Sequence, residues 1–172
     1  MIILDCETYA NYFLLSMLDT NSGKIRDFEL YEEHPFDAKT VQTILRNHTT
    51  LGFNSSNYDL PVIVSALRGD TNAQIKQLSD DIINAPKVWP VLKKHKINIP
   101  QGFDHIDIMP IPIGQASLKI YGGRLHAPKM QDLPIEPSAI ITPEQRKTLR
   151  LYCHNDLQVT AILYNELRPQ IA

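Results

Sequence analysis

The spacing of apolar residues changes character along this chain, and the changes mark out its elements. Residues 1 to 6, "MIILDC", form an apolar run that reads as a buried strand. "NYFLLSMLD" (11–19) and "KIRDFELY" (24–31) read as two more, joined through "TNSG", where Asn21 and Gly23 are turn residues. Connections this short leave no room for a crossover helix, so the three strands are expected to form an antiparallel meander. Helical spacing then takes over. "DAKTVQTILRN" (37–47) places Val41, Ile44 and Leu45 on one face behind an Asp37 N-cap. "TTLGFN" (49–54) predicts a buried strand, with a helix opening near Asp59. "TNAQIKQLSDDIIN" (71–84) predicts another helix, with Thr71 and Gln74 at capping-box spacing. The proline-rich stretch 86–112 reads mostly as loop around a short strand in "HIDIM" (105–109), and "ASLKIYGG" (116–123) as a short helix ended by glycine. The last helix starts at Thr142 as cap and Pro143 as first residue, with Gln145 closing a capping box. It is expected to end near Leu167, where Pro169 stops it. A meander followed by alternating helices and strands predicts an α/β fold, a mixed sheet with helices on its faces.

Several acids break this pattern. Asp5 and Glu7 are two apart at the end of the first strand, so they project from the same face. Neighbouring carboxylates repel unless a cation lies between them or one is protonated. A short D-x-E is also what a strand fraying into solvent looks like. Asp156 is harder to dismiss. At about 100° per residue, Leu149, Tyr152, Thr160, Leu163 and Leu167 all fall within about 40° of it, so it occupies the centre of the face that should be buried. No lysine or arginine shares that arc, and a shared cation is the natural compensation. Tyr152, one turn earlier on the same face, fits either a core tyrosine or a functional one. In "LGFNSSNYDLP" (51–61), Asp59 sits where a helix begins, as an N-cap, a metal-site acid or both. Asn54 and Tyr58 have ordinary loop explanations as well.

Bulk properties narrow the class. At 172 residues the chain suits one domain, 1–172, with a sizeable core. Its apolar runs are too short for a membrane span, and the structural pattern begins at Met1, so no leader is expected. Cys6 and Cys153 lack metal-like spacing, as expected for a reduced, cytoplasmic interior. Net charge is −2, yet Lys87 to Lys129 holds seven basic residues against Asp104 and Asp107, a surplus of +5 that leaves −7 elsewhere. The "KKHK" within it (93–96) reads as a solvated loop or as a local phosphate-facing surface.

Taken together, "DCE" at 5–7, "NSSNYD" at 54–59 and "YCHND" at 152–156 resemble the three motifs of the DnaQ-like 3′–5′ exonucleases: D-x-E, N-x3-[FY]-D and Y-x3-D. The last spacing is that of the tyrosine, or DEDDy, branch. The histidine branch has a histidine five residues before the final acid, where Leu151 stands here, and His154 is at the wrong spacing to replace it. The middle motif is most similar to that of family B DNA polymerases. "SLKIYGGRLHAPKMQDLP" (117–134) resembles sequences in bacteriophage-type polymerase exonuclease domains.

The resemblance implies an RNase H-like fold, a five-stranded mixed sheet flanked by helices. It implies a catalytic set of Asp5, Glu7, Asp59, Asp156 and Tyr152. Asp5, Glu7 and Asp156 would hold one divalent cation, with Asp5 bridging to a second that Asp59 reaches largely through water. A site made of carboxylates suits Mg2+ or Mn2+ over zinc. Tyr152 would orient the attacking water. The implied substrate is a single-stranded DNA 3′ end, with Asn54 and Tyr58 beside it and Lys119 and Arg124 as phosphate contacts. Proofreading or DNA processing follows, in the cytoplasm (the host's, if viral), alone or beside a DNA polymerase or other replication protein. An RNA-directed exonuclease of the same branch, or a non-catalytic nucleic-acid-binding module with this fold, are the alternatives.

Overall fold

A computed structural model describes residues 1–108 and 134–171. Five strands form one open mixed sheet in the order β3-β2-β1-β4-β5. β1 (Ile2–Tyr9), β2 (Tyr12–Asp19) and β3 (Ile25–Leu30) make the expected antiparallel meander. Its second turn is closed by Gly23, whose φ of 75° suits glycine. β4 (Thr50–Gly52) and β5 (His105–Asp107) then add in parallel on the other side of β1.

Three helices, α1 (Ala38–Asn47), α2 (Asp59–Leu67) and α3 (Asn72–Asn84), cover one face of the sheet. Val41 and Leu45 of α1, Val62 and Ile63 of α2, and Ile75 and Leu78 of α3 pack there against Leu4, Phe13 and Leu15. The caps follow the sequence: the Asp37 carboxylate accepts from the Thr40 N–H, and Thr71 with Gln74 forms a complete capping box. The other face carries α5 (Pro143–Ile171), which opens on the Thr142–Gln145 box. With both faces covered, β2 is buried from Tyr12 to Leu18, which explains its unbroken apolar run.

Two expectations need correction. The stretch 86–112, expected to be mostly loop around one short strand, also holds a helix: α4 (Trp89–Lys94) forms with Pro90 in its first turn, where a missing N–H costs nothing. Nor does Pro169 stop the last helix, which continues to Ile171. Proline removes one backbone bond there, and a long helix already docked on the sheet tolerates that loss. The short helix expected over 116–123 lies outside the described residues, as does Met109. Among the described residues, no helix is long and apolar enough to cross a membrane.

Candidate active site

The register of β1 decides what faces what. Ile2, Leu4 and Cys6 point toward α1–α3, whereas Ile3 and Tyr9 point toward α5. Asp5 and Glu7 share the parity of Ile3 and Tyr9, so they face α5. There they split the apolar surface beneath that helix. Ile3, Leu157 and Leu163 form one cluster, Tyr9, Leu149 and Cys153 another, and the acids occupy the gap. The sequence placed these acids at a strand end; they sit inside the strand, because pairing with β2 continues to Tyr9 opposite Tyr12. β4, by contrast, pairs with β1 only at Ile2 and Ile3.

That early ending of β4 explains Asp59. Beyond Ile3 this edge of β1 has no strand partner, and its N–H groups need other acceptors. The buried Asp59 carboxylate accepts from the Cys6 N–H and the Cys6 thiol. It does not cap its own helix: the N-cap of α2 is Tyr58, which makes no side-chain cap bond, and Asp59 is the first helical residue.

Asp156 sits half-buried on the docked face of α5, surrounded by buried Leu149, Tyr152, Cys153, Val159, Thr160 and Leu163. Burying Leu149, Leu157 and Leu163 stabilises the docking by about 1.5–3 kcal/mol each, enough to hold a half-desolvated acid against the sheet.

The four acids act on one another. Burial raises the Asp5 pKa well above the carboxylate range, and the charges of Asp156, Asp59 and Glu7 raise it further. Asp59 is raised too, by burial first and then by Asp107 and Asp156. Ligand atoms of Asp5, Glu7 and Cys153 lie within 4.8 Å of one another. The Cys153 thiol donates to the Asp5 carbonyl at 3.5 Å and to Asp5 Oδ2 at 3.4 Å. Burial, then the Asp5 and Glu7 charges, push this thiol up, which favours the protonated form that donates to Asp5. The acids of the group offer carboxylate oxygens, the donor type that suits Mg2+ or Mn2+.

Tyr152 belongs to the same group. It is buried, and burial followed by the charges of Asp156, Glu7 and Asp5 pushes its phenol up. It is a neutral hydroxyl facing carboxylates. Tyr9 stands nearby, its hydroxyl donating to the Ile135 carbonyl at 3.0 Å.

The loop that delivers Asp59 is fixed from below. Asn54 adopts a φ of 53°, a left-handed conformation that asparagine tolerates. Ser55 packs so closely on Gly52 that a Cβ there would lie 2.6 Å from it. His105 of β5 bridges Thr50 Oγ1 (2.7 Å) and Ser55 Oγ (2.6 Å), and burial lowers its pKa to about 4, so the ring is neutral. Asp107 accepts the Ser56 N–H at 2.9 Å. The Tyr58 hydroxyl bonds Ser79 of α3 at 2.7 Å and Thr8 at 3.2 Å, tying the start of α2 to both layers.

Sequence reasoning missed Asp107 and Cys153. The signal for Asp107 was present: like Asp5, it is an acid inside an apolar strand. Cys153 had none, since a cysteine on a buried helical stripe is ordinary core. His154, set aside by its spacing, faces away from the acids and bonds Asp27 of β3 at 2.8 Å. Lys119 and Arg124 lie outside the described residues. A cavity of about 510 Å³ at the opposite end of β1, lined by Ile3, Leu18 and Tyr164, includes none of the clustered acids.

No family model, no curated protein and no solved structure matches this chain.

Proposed function

We propose that this chain is a metal-dependent 3′–5′ exodeoxyribonuclease of the DnaQ-like, tyrosine-branch type on an RNase H-like fold. One observation carries the reading: Asp5 lies within electrostatic reach of Glu7 on its own strand, of Asp59 from α2 and of Asp156 from α5, and Tyr152 feels Asp5, Glu7 and Asp156. These are the residues of three motifs set far apart in sequence, and they come from three separate elements. The five-stranded mixed sheet flanked by helices is the architecture that the motif resemblance implies.

Asp5, Glu7 and Asp156 would hold one Mg2+ or Mn2+, and Asp5 with Asp59 a second. When bound, such a pair supplies an activated water and neutralises charge at the departing 3′ oxygen. The chain's own groups do the rest. Asp5, held by Cys153 and by a regular strand, faces its partners from a fixed position. Asp59 is anchored by Cys6, so it reaches the site from the opposite edge of β1. Tyr152 cannot serve as a base with its phenol pushed up; it orients water by hydrogen bonding. The buried leucines beside Asp156 limit solvent access and so strengthen every electrostatic contact within.

The test is a time course on a single strand labelled at either its 3′ or its 5′ end, with Mg2+, with Mn2+ and with chelator. Immediate release of the 3′ label, a shortening ladder from the 5′ label, and arrest by chelator are expected. Hydrolysis that persists in chelator overturns the proposal. Matched DNA and RNA strands assign the sugar preference, and a chain that binds strands without cutting them is the binding module instead.

A further inference from the structure

The chemistry above leaves unused the most basic part of the chain. Residues 82–103 contain four lysines (Lys87, Lys93, Lys94 and Lys96) and no acid, so this stretch is +4 and the remainder of a −2 chain is −6. α4 lies within it and is two-sided. Val88, Val91 and Leu92 pack against the core, whereas Trp89, Lys93 and Lys96 are exposed. Trp89 and Lys93 are one helical turn apart and so lie side by side. Lys96 follows at a φ of 56°, just past the helix.

Trp89 is 65% exposed, and Ile83 at the end of α3 is 67% exposed. Trp89 is the chain's single tryptophan, and an indole facing water forgoes the burial that makes large aromatics useful in a core. Lys94 pairs with Asp81 at 3.5 Å, but among the described residues Lys87, Lys93 and Lys96 are in no ion pair. α4 packs on the same side of the sheet as α2, which carries Asp59 at its start, and Arg68 at the end of α2 donates to the His95 and Lys96 carbonyls at 2.9 and 3.0 Å. Ser79 bonds Tyr58, the neighbour of Asp59, and Ile83 lies about 6 Å further along α3. The five-residue step from Asn84 to Trp89 spans at most about 17 Å.

We infer that the outer face of α4, with Trp89, Lys87, Lys93 and Lys96, binds the 5′-ward part of a single-stranded nucleic acid whose 3′ end lies at the acid cluster. Bases stack on Trp89 and phosphates meet the lysines, the combination by which single strands are held without sequence preference. An acidic peptide would match the lysines but offers no row of rings to the tryptophan. The identity of the polymer rests on the exonuclease reading; the surface itself does not.

Because there is only one tryptophan, its fluorescence reports from this face alone. The full chain is titrated with oligothymidylate at low salt in chelator, so that the unloaded acid site repels the strand. Quenching of Trp89 is expected, with a log–log salt slope of about −2 for three lysine contacts. Lys93→Ala combined with Lys96→Ala should reduce that slope by roughly 1.4. Trp89→Ala, followed by anisotropy of a labelled strand, should weaken binding about 5- to 100-fold, and Trp89→Phe should largely restore it. Thermal melts check that the variants fold. Absent quenching, unchanged affinity in both variants, or equal quenching by polyglutamate overturns the inference, the last in favour of a protein partner. If wild-type protein degrades strands while Trp89 stays silent, this inference fails alone. If Trp89 is quenched without any metal-dependent cleavage, the exonuclease reading fails and the surface stands.

Discussion

α5 presses on two sets of carboxylates, and the fold treats them in opposite ways. Toward β3, Asp27 accepts from the Ser16 hydroxyl and His154, and Glu29 accepts from the Tyr12 hydroxyl and Arg150. Each of these acids is matched to donors or cations of the same chain. Toward β1 and α2, Asp5 and Asp59 meet thiols and further acids, and each has its pKa driven up. The first set fastens the helix to the sheet. The second keeps acids together at a cost in stability, a cost that a bound cation would offset. The difference separates carboxylates that hold the fold from carboxylates that the fold holds.

Four predictions probe this contrast. The largest effect should come from Asp5→Asn, which removes the proposed bridging ligand. Nuclease activity should fall more than about 100-fold, beyond the loss typical of residues that merely support a ligand. Activity near wild type would remove Asp5 from the site. Tyr152→Phe should lower kcat by about 10- to 100-fold through a misplaced water, while calorimetric Mn2+ binding stays unchanged. A variant that cuts normally returns Tyr152 to the core.

On the other side of α5, Arg150→Ala should cost about 1–3 kcal/mol in denaturant unfolding, because Glu29 keeps Tyr12 but loses its charged donor. Cleavage per folded molecule should not change. The smallest effect is the most telling. Asp5 has a raised folded-state pKa, so in metal-free protein its ionisation opposes folding. That penalty is absent below the ordinary carboxylate pKa of about 4 and grows as pH rises through the elevated value. Metal-free Asp5→Asn should therefore melt about 2–4 °C above metal-free wild type at pH 7, for a gain near 1 kcal/mol, and the gap should close on acidification. A variant that melts lower would place Asp5 with the acids that hold the fold.

Much of this was legible along the chain. Period-two and helical patterns located the meander, α1, α3 and α5, because these elements are amphipathic or fully buried and each has its own local signals. Thr71–Gln74 and Thr142–Gln145 marked two helix starts to the residue, since a capping box is made within four positions. The wheel of α5 also placed Asp156 on the buried face, because a helix fixes direction from sequence alone. α4 was missed because six residues carry too little periodicity to register.

The sequence by itself determined which acids were anomalous and which faces they occupied, since local backbone geometry sets both. Only the tertiary structure decided that Asp59 and Asp156 come within electrostatic reach of Asp5. β4 ends after Gly52 and leaves the edge of β1 open to Asp59, β5 brings Asp107 under the Ser55–Ser56 loop, and Cys153 reaches Asp5 across the interface between helix and sheet. Those contacts depend on strand lengths and layer order, which pairing and packing across the whole chain settle and no local window contains.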